Sequence, residues 1–281
     1  MSQFIISGFA DEIDEKIDTQ FRVLKELGIE YFEVRGVDGR NISDLTDEEV
    51  AYLHTRMKEN GIKISSIGSP IGKIGIKDDF APHFEKFKRV VEIAKKLGTR
   101  YIRMFSFFIA REEDPANYRE EVFARLSKMI EYAQKEDVVL LHENEKDIYG
   151  DTVERCLDIM EHLYCDNFKA VFDPANFIQC GQNTKEGFDK LAKYVEYMHI
   201  KDALSDGSVV PAGLGVGELE YILKSLKDAG YCGFLSLEPH LGSFKGLEAL
   251  ENDDTMLKLE KSSEEKFVLA YDSLKNILGR I

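Results

Sequence analysis

KELGIEYFEVRG (25–36), KENGIKISSIGS (58–69), KKLGTRYIRMFS (95–106) and KDAGYCGFLSLE (227–238) share one local pattern. In each, a helical stretch ends in Gly, and a short apolar strand begins a residue or two later. Gly can close a helix in the left-handed conformation without a Cβ penalty. A Lys in or near the last turn suits the negative end of the helix dipole. The runs after each Gly are rich in Ile, Tyr, Phe and Val, as buried strands are.

Four further strands complete the set: FIISGF (4–9), VVLLHENE (138–145), FKAVFDP (168–174) and VEYMHIKD (195–202). Between strands the apolar period is helical. Ile13, Ile17, Phe21 and Leu24 share one face, as do Phe84, Phe87, Val90, Val91 and Ala94. The last helical segment is 263–280. Eight strand–helix units in 281 residues predict an α/β fold, a single (β/α)8 TIM barrel. The alternative, a doubly wound sheet, lacks the G-x-G-x-x-G that would follow its first strand. No Pro- or Ser-rich linker divides the chain, so residues 1–281 are expected to form one domain.

The formal charge is −15. Such a surface repels phosphate backbones and anionic membranes, which argues against nucleic acid and membrane as partners. The four cysteines, Cys156, Cys165, Cys180 and Cys232, form no CxxC pair and read as reduced thiols. The start, MSQFIISGFADE, has neither a basic segment nor an apolar run of the secretory kind, and no stretch is long enough to span a bilayer. A cytoplasmic protein is expected.

Chemistry in such a barrel belongs at the C-terminal ends of the strands. Strands five to eight end in Glu143 (HENE), Asp173 (FDPAN), His199 (HIKD) and Glu238 (LEPH). Alternation along a strand lets one residue from each point at a common centre. Three carboxylates side by side repel one another unless a cation joins them. Three oxygen donors and one imidazole suit one divalent metal ion, Mn²⁺ best, with Mg²⁺, Co²⁺ and Zn²⁺ compatible. Taken singly, each residue has a plainer reading; Asp173 before Pro174 could simply shape a turn. Four on consecutive strands point to a metal site.

These motifs, together with SGFADEI near the start, the segment GLGVGELE (213–220) and GYCGFLSLE, resemble the xylose isomerase-like TIM-barrel superfamily of sugar isomerases and epimerases over nearly the whole chain. The resemblance implies that Glu143, Asp173, His199 and Glu238 bind one metal, and that Glu143 and Glu238 also act as the acid/base pair. Ketose epimerases of the family carry a substrate-binding His three residues after the metal Asp, where Asn176 stands here. They also carry an Arg shortly after the metal His, near the place of Ser205. Both departures point away from a free ketose. The opening motif and the SPIGKIGIKDD loop lean towards the branch acting on 3-keto-glycosides.

The implied function is a metal-dependent isomerase or epimerase acting on a small-molecule sugar by proton transfer next to a carbonyl. Candidate substrate contacts are Arg35, Lys73, Arg103, His142, Asn176 and Lys201. Lys201 is in phase with His199. Arg35 is in phase with Glu33 and could pair with it or contact substrate. Arg103 is an inward ligand or a barrel salt bridge. Lys73 sits in a Gly-rich loop that reads as a mobile lid. His142 alternates away from Glu143, which favours packing against the helix layer over proton transfer. His240 is in phase with Glu238, while His54, His83 and His162 read as surface or packing residues. Phe105, Phe107 and Phe108 could wall a sugar or fill the core. Rival readings are a lyase on a related keto-sugar or inosose, a C-glycoside-cleaving subunit, a non-catalytic sugar-binding subunit, and an endonuclease IV-like repair enzyme. The last needs more histidines than the strand ends supply. The pattern is compatible with a homo-oligomer as well as a monomer.

Overall fold

A computed structural model describes residues 3–241 and 262–281. Eight parallel strands run β1 (Gln3–Gly8), β2 (Tyr31–Val34), β3 (Lys63–Ile67), β4 (Tyr101–Met104), β5 (Val139–Glu143), β6 (Phe168–Phe172), β7 (Val195–Ile200) and β8 (Cys232–Leu237). The hydrogen-bonded ladder follows chain order from β2 to β8, and β8 then pairs with β1. β1 lies beside β2 and nearly closes the ring. The chain is a single (β/α)8 TIM barrel.

Outside the ring lie α1 (Ile17–Glu26), α2 (Asp47–Asn60), α3 (Phe80–Leu97), α4 (Arg119–Glu136), α5 (Val153–Leu163), α6 (Pro174–Gln179), α7 (Thr184–Leu191), α8 (Leu219–Asp228) and α9 (Ser263–Leu278). Gly61 and Gly98 cap α2 and α3 in the left-handed region, with φ of 69° and 79°. Asp137, φ 56°, does the same for α4. An Asp in that role is why β5 lacks the glycine lead.

Alternation divides each strand between two cores. On β7, Met198 and Ile200 join the outer core against the helices, with Phe21, Phe87, Leu126, Ile159 and Ile222. Tyr197 turns inward, to a smaller core with Val139, Leu141 and Val171, on which Tyr101 and Phe234 pack. This apolar plug fills the lower barrel, so polar side chains of the next inward layer stand on a dry floor. That layer begins with Ser7, Ser65 and the Tyr197 hydroxyl, linked at 2.6 and 2.8 Å.

The loop SPIGKIG is not a free lid. Its carbonyls at Ile71, Gly72 and Ile74 accept amide bonds from Phe105, Phe107 and Phe108 at 2.8–3.1 Å, and Ile76 returns one to Phe108. The Gly72 amide donates to His83 Nε2 at 2.8 Å. Gly is needed here for contact as well as for freedom. At φ 92°, a Cβ on Gly72 would fall 2.0 Å from the Phe105 carbonyl oxygen. Among the described residues the cysteines are free thiols, and no helix is long and apolar enough to cross a membrane.

Candidate metal centre

Glu143, Asp173, His199 and Glu238 meet at the C-terminal mouth of the barrel. Each offers one donor atom, and the four atoms lie within 4.8 Å of one another. All four residues are buried. His199 presents Nδ1 to the group, 3.0 Å from Glu143 Oε1, 3.3 Å from Glu238 Oε2 and 3.8 Å from Asp173 Oδ2. Glu143 Oε2 and Asp173 Oδ2 accept no hydrogen bond. A cation lies beside each: Arg103 Nη1 at 3.3 Å from the first, Lys201 Nζ at 3.1 Å from the second.

Asp173 does two jobs, one with each oxygen. Oδ1 caps α6, accepting the Asn176 amide at 2.9 Å, while Oδ2 faces the other three donors. The turn-shaping reading and the ligand reading therefore both apply. Asn144 clamps the Asp173 backbone, accepting its N–H at 2.9 Å and donating to its carbonyl at 2.8 Å. Asn176 Nδ2 donates to Glu143 Oε1 at 3.2 Å and to the Asn144 carbonyl at 2.9 Å. It steadies a carboxylate of the quartet, a contact that sequence alone did not suggest.

Three cations surround the acids. Lys201 Nζ lies 3.2 Å from Glu238 Oε2 as well as beside Asp173. Arg103 also donates to the Gly68 carbonyl at 3.2 Å. Arg35 grips Asp11 through Nε and Nη2 at 2.8 and 3.1 Å, and reaches Glu12 at 3.3 Å and Glu238 at 3.4 Å. Phe9 was not anticipated. Its ring lies under both guanidinium groups, at 4.5 and 4.9 Å, and meets the His199 ring edge-on at 5.3 Å. Its place one residue beyond β1, in phase with Ile5 and Ser7, was the available signal.

Charges are set by crowding. Burial alone would depress the His199 pKa, but the carboxylates of Glu143, Glu33 and Glu238 hold it well above the usual imidazole range. Burial pushes Asp173 up to about 7 against the pull of Lys201, with Glu238 and Glu143 adding to the rise. Burial would raise Glu238 too, yet Lys201, His240 and His199 keep it well below the usual carboxylate range. Without a further cation the cluster thus retains protons on Asp173 and His199. A divalent ion in their place satisfies the same acids. A second triad, Glu12, Glu238 and His240, also has donor atoms within 4.8 Å of one another. Arg35 already supplies positive charge to both of its glutamates.

The other candidates divide. Lys73 reaches Glu145 Oε2 at 3.1 Å and lies 4.5 Å over Phe105. Burial opposes ionisation of Glu145, but Lys73 and Lys201 bring its pKa down to about 2. Phe105 therefore fronts the site, while Phe107 packs on Phe80 in the core. His142 stands apart. It faces the helix layer in a pocket with Cys156, Met160, Phe177 and Leu191, and burial lowers its pKa to about 3. That is a neutral histidine packed against the helix layer, on the far side of β5 from the quartet. In GLGVGELE, the amides of Gly213, Gly215 and Gly217 all point at the Asp202 carboxylate, at 2.9–3.1 Å.

A family profile described as xylose isomerase-like TIM barrel matches residues 21–258. The L-ribulose-5-phosphate 3-epimerase of Shigella flexneri is 23% identical over 224 residues, 76% of this chain and 78% of that protein. A solved structure of L-ribulose 3-epimerase superposes with a TM-score of 0.76 at 18% identity, covering 100% of this chain and 95% of that one. The IolI protein, solved with a bound zinc atom, gives 0.76 at 18% identity, covering 98% of each. The chain belongs to the xylose isomerase-like TIM-barrel family.

Proposed function

We propose that the protein is a divalent-metal-dependent sugar isomerase or epimerase that moves a proton on the carbon next to a carbonyl. The observation that carries this reading is the placement of Glu143 and Glu238. They come from β5 and from the end of β8, and both approach His199 Nδ1, at 3.0 and 3.3 Å. Glu143, Asp173, His199 and Glu238 hold the ion. The oxygen-rich donor set fits Mn²⁺ best, with Zn²⁺, Mg²⁺ and Co²⁺ compatible. When bound, such an ion supplies Lewis acidity that offsets the charge growing on the carbonyl oxygen.

One of the two glutamates takes the α-proton, and the C–H electron pair moves towards the carbonyl to give an enediolate. The other carboxyl returns a proton. Return to the opposite face of the same carbon gives an epimer, and return to the neighbouring carbon gives an isomer. Asp173 and His199 serve as ligands only. Arg35, Arg103 and Lys201 line the mouth and hold substrate oxygens. Lys73 and Phe105 form one wall, and Asn176 keeps Glu143 in line. The fold, the epimerase named among the relatives and the donor set support a keto-sugar or 3-keto-glycoside as substrate.

Incubating metal-loaded protein with ketoses, 3-keto-glycosides and inososes in D₂O tests this. Deuterium is expected at one α-carbon of one substrate. No uptake across the panel sinks the mechanism for those sugars. Net loss of water or of an aglycone identifies a lyase instead.

A further inference from the structure

His199 has two ring nitrogens, and the quartet uses one. The other, Nε2, lies 3.2 Å from Oε2 of Glu33 on β2. The same oxygen accepts the Ser236 hydroxyl at 2.8 Å. Glu33 is 1% exposed, and its Oε1 accepts no hydrogen bond. The strand register shifts beside it. Phe32 pairs with Ile64 but Glu33 with Ser66, so β3 carries an extra residue at this level. A buried carboxylate with one oxygen unsatisfied costs stability, and an apolar side chain of similar volume would serve packing better. Packing therefore does not account for Glu33.

We infer that Glu33 is a positioning residue that fixes the ring of His199 so that Nδ1 is the nitrogen offered to the metal. The inference rests on the metal reading above. A neutral imidazole carries one N–H and one lone pair. Donation of Nε2–H to Glu33 places the lone pair on Nδ1, where Glu143, Asp173 and Glu238 converge. The negative charge behind the ring also makes Nδ1 a better donor. Phe9 and Tyr197 meet the ring edge-on, at 5.3 and 5.9 Å, and limit its rotation without selecting a tautomer. Selection falls to Glu33.

Calorimetric titration of the whole protein with Zn²⁺ tests this, using wild type, Glu33→Gln and Glu33→Ala. Wild type is expected to take one ion. Glu33→Ala is expected to bind roughly 10–100-fold more weakly, and Glu33→Gln, which keeps an acceptor, to fall between. In chelator Glu33→Ala is expected to melt below wild type, because it leaves a cavity and removes a counter-charge of His199. Affinity is therefore read at a temperature where each variant is folded, and Glu33→Gln, which keeps the volume, separates affinity from packing. In zinc-loaded protein, ¹⁵N spectra of labelled histidine should show His199 protonated at Nε2. Wild-type binding matched within twofold by Glu33→Ala, or a proton on Nδ1 in the loaded protein, overturns the role of Glu33 alone. Failure of wild type to bind Zn²⁺ or Mn²⁺ overturns the metal reading and this inference with it.

Discussion

The two halves of the barrel mouth are built differently. Strands β5 to β8 supply one donor each to a single point: Glu143, Asp173, His199 and Glu238. Strands β1 to β4 and the residues just beyond them supply none. They give Phe9, Asp11, Glu33, Arg35 and Arg103, which contact the donors or one another across the barrel. One half gathers the candidate donors and the other packs against them. The difference teaches that three carboxylates can stand at one point because the facing wall brings guanidinium groups and an aromatic floor to meet them.

If that division is right, the largest effect on turnover belongs to the donor half. Glu143→Gln and Glu238→Gln should each cut α-proton exchange by roughly 10²–10⁴-fold. A loss below tenfold in D₂O exchange would move the acid/base pair elsewhere. The supporting half should show itself in stability. Arg35→Met leaves Asp11, Glu12 and Glu238 short of a counter-charge, and should cost about 3–5 kcal/mol by urea unfolding. An unchanged urea midpoint would mean that those acids are protonated or differently paired.

Metal should join the halves. At a free concentration about 100 times Kd, bound Mn²⁺ should raise stability by about 2.7 kcal/mol, and Asp173→Asn should abolish most of that gain. The gain should also depend on pH. In metal-free protein both Asp173 and His199 bind protons more tightly than in the unfolded chain, so the contribution of Asp173 falls as pH rises from the ordinary carboxylate range to about 7, and that of His199 falls from the ordinary imidazole range upward. The difference in melting between loaded and chelated protein should therefore widen with pH over those ranges. A difference that is constant with pH would show that no proton leaves on binding. The smallest effect is reserved for His142→Leu, outside both halves. Turnover should hold within twofold, and stability within about 1.5 kcal/mol.

The donor half was legible in the sequence because each strand ends in one ligand type, and alternation does the rest. The fold was legible for the same reason, since glycine-terminated helices repeat ahead of four of the strands. The supporting half was not. Glu33 and His199 are 166 residues apart, and nothing local in YFEVRG specifies a partner on β7. Asn176 reads as a substrate contact by its place in FDPAN, yet its amide is engaged with Glu143 and Asn144. The Gly-rich SPIGKIG loop suggests mobility from composition. Its glycine at 72 instead permits a backbone approach that any side chain would block.

The Asp202 carboxylate in the loop after β7 has a further consequence. Late loops of such barrels commonly grip a phosphate with backbone amides. Here the amides of Gly213, Gly215 and Gly217 already converge on an internal carboxyl group, and a Cβ at Gly215 or Gly217 would fall 2.3 or 2.5 Å from its Oδ1. On that side of the mouth these backbone amides are already satisfied from within the chain, so they leave no free cradle for an outside phosphate.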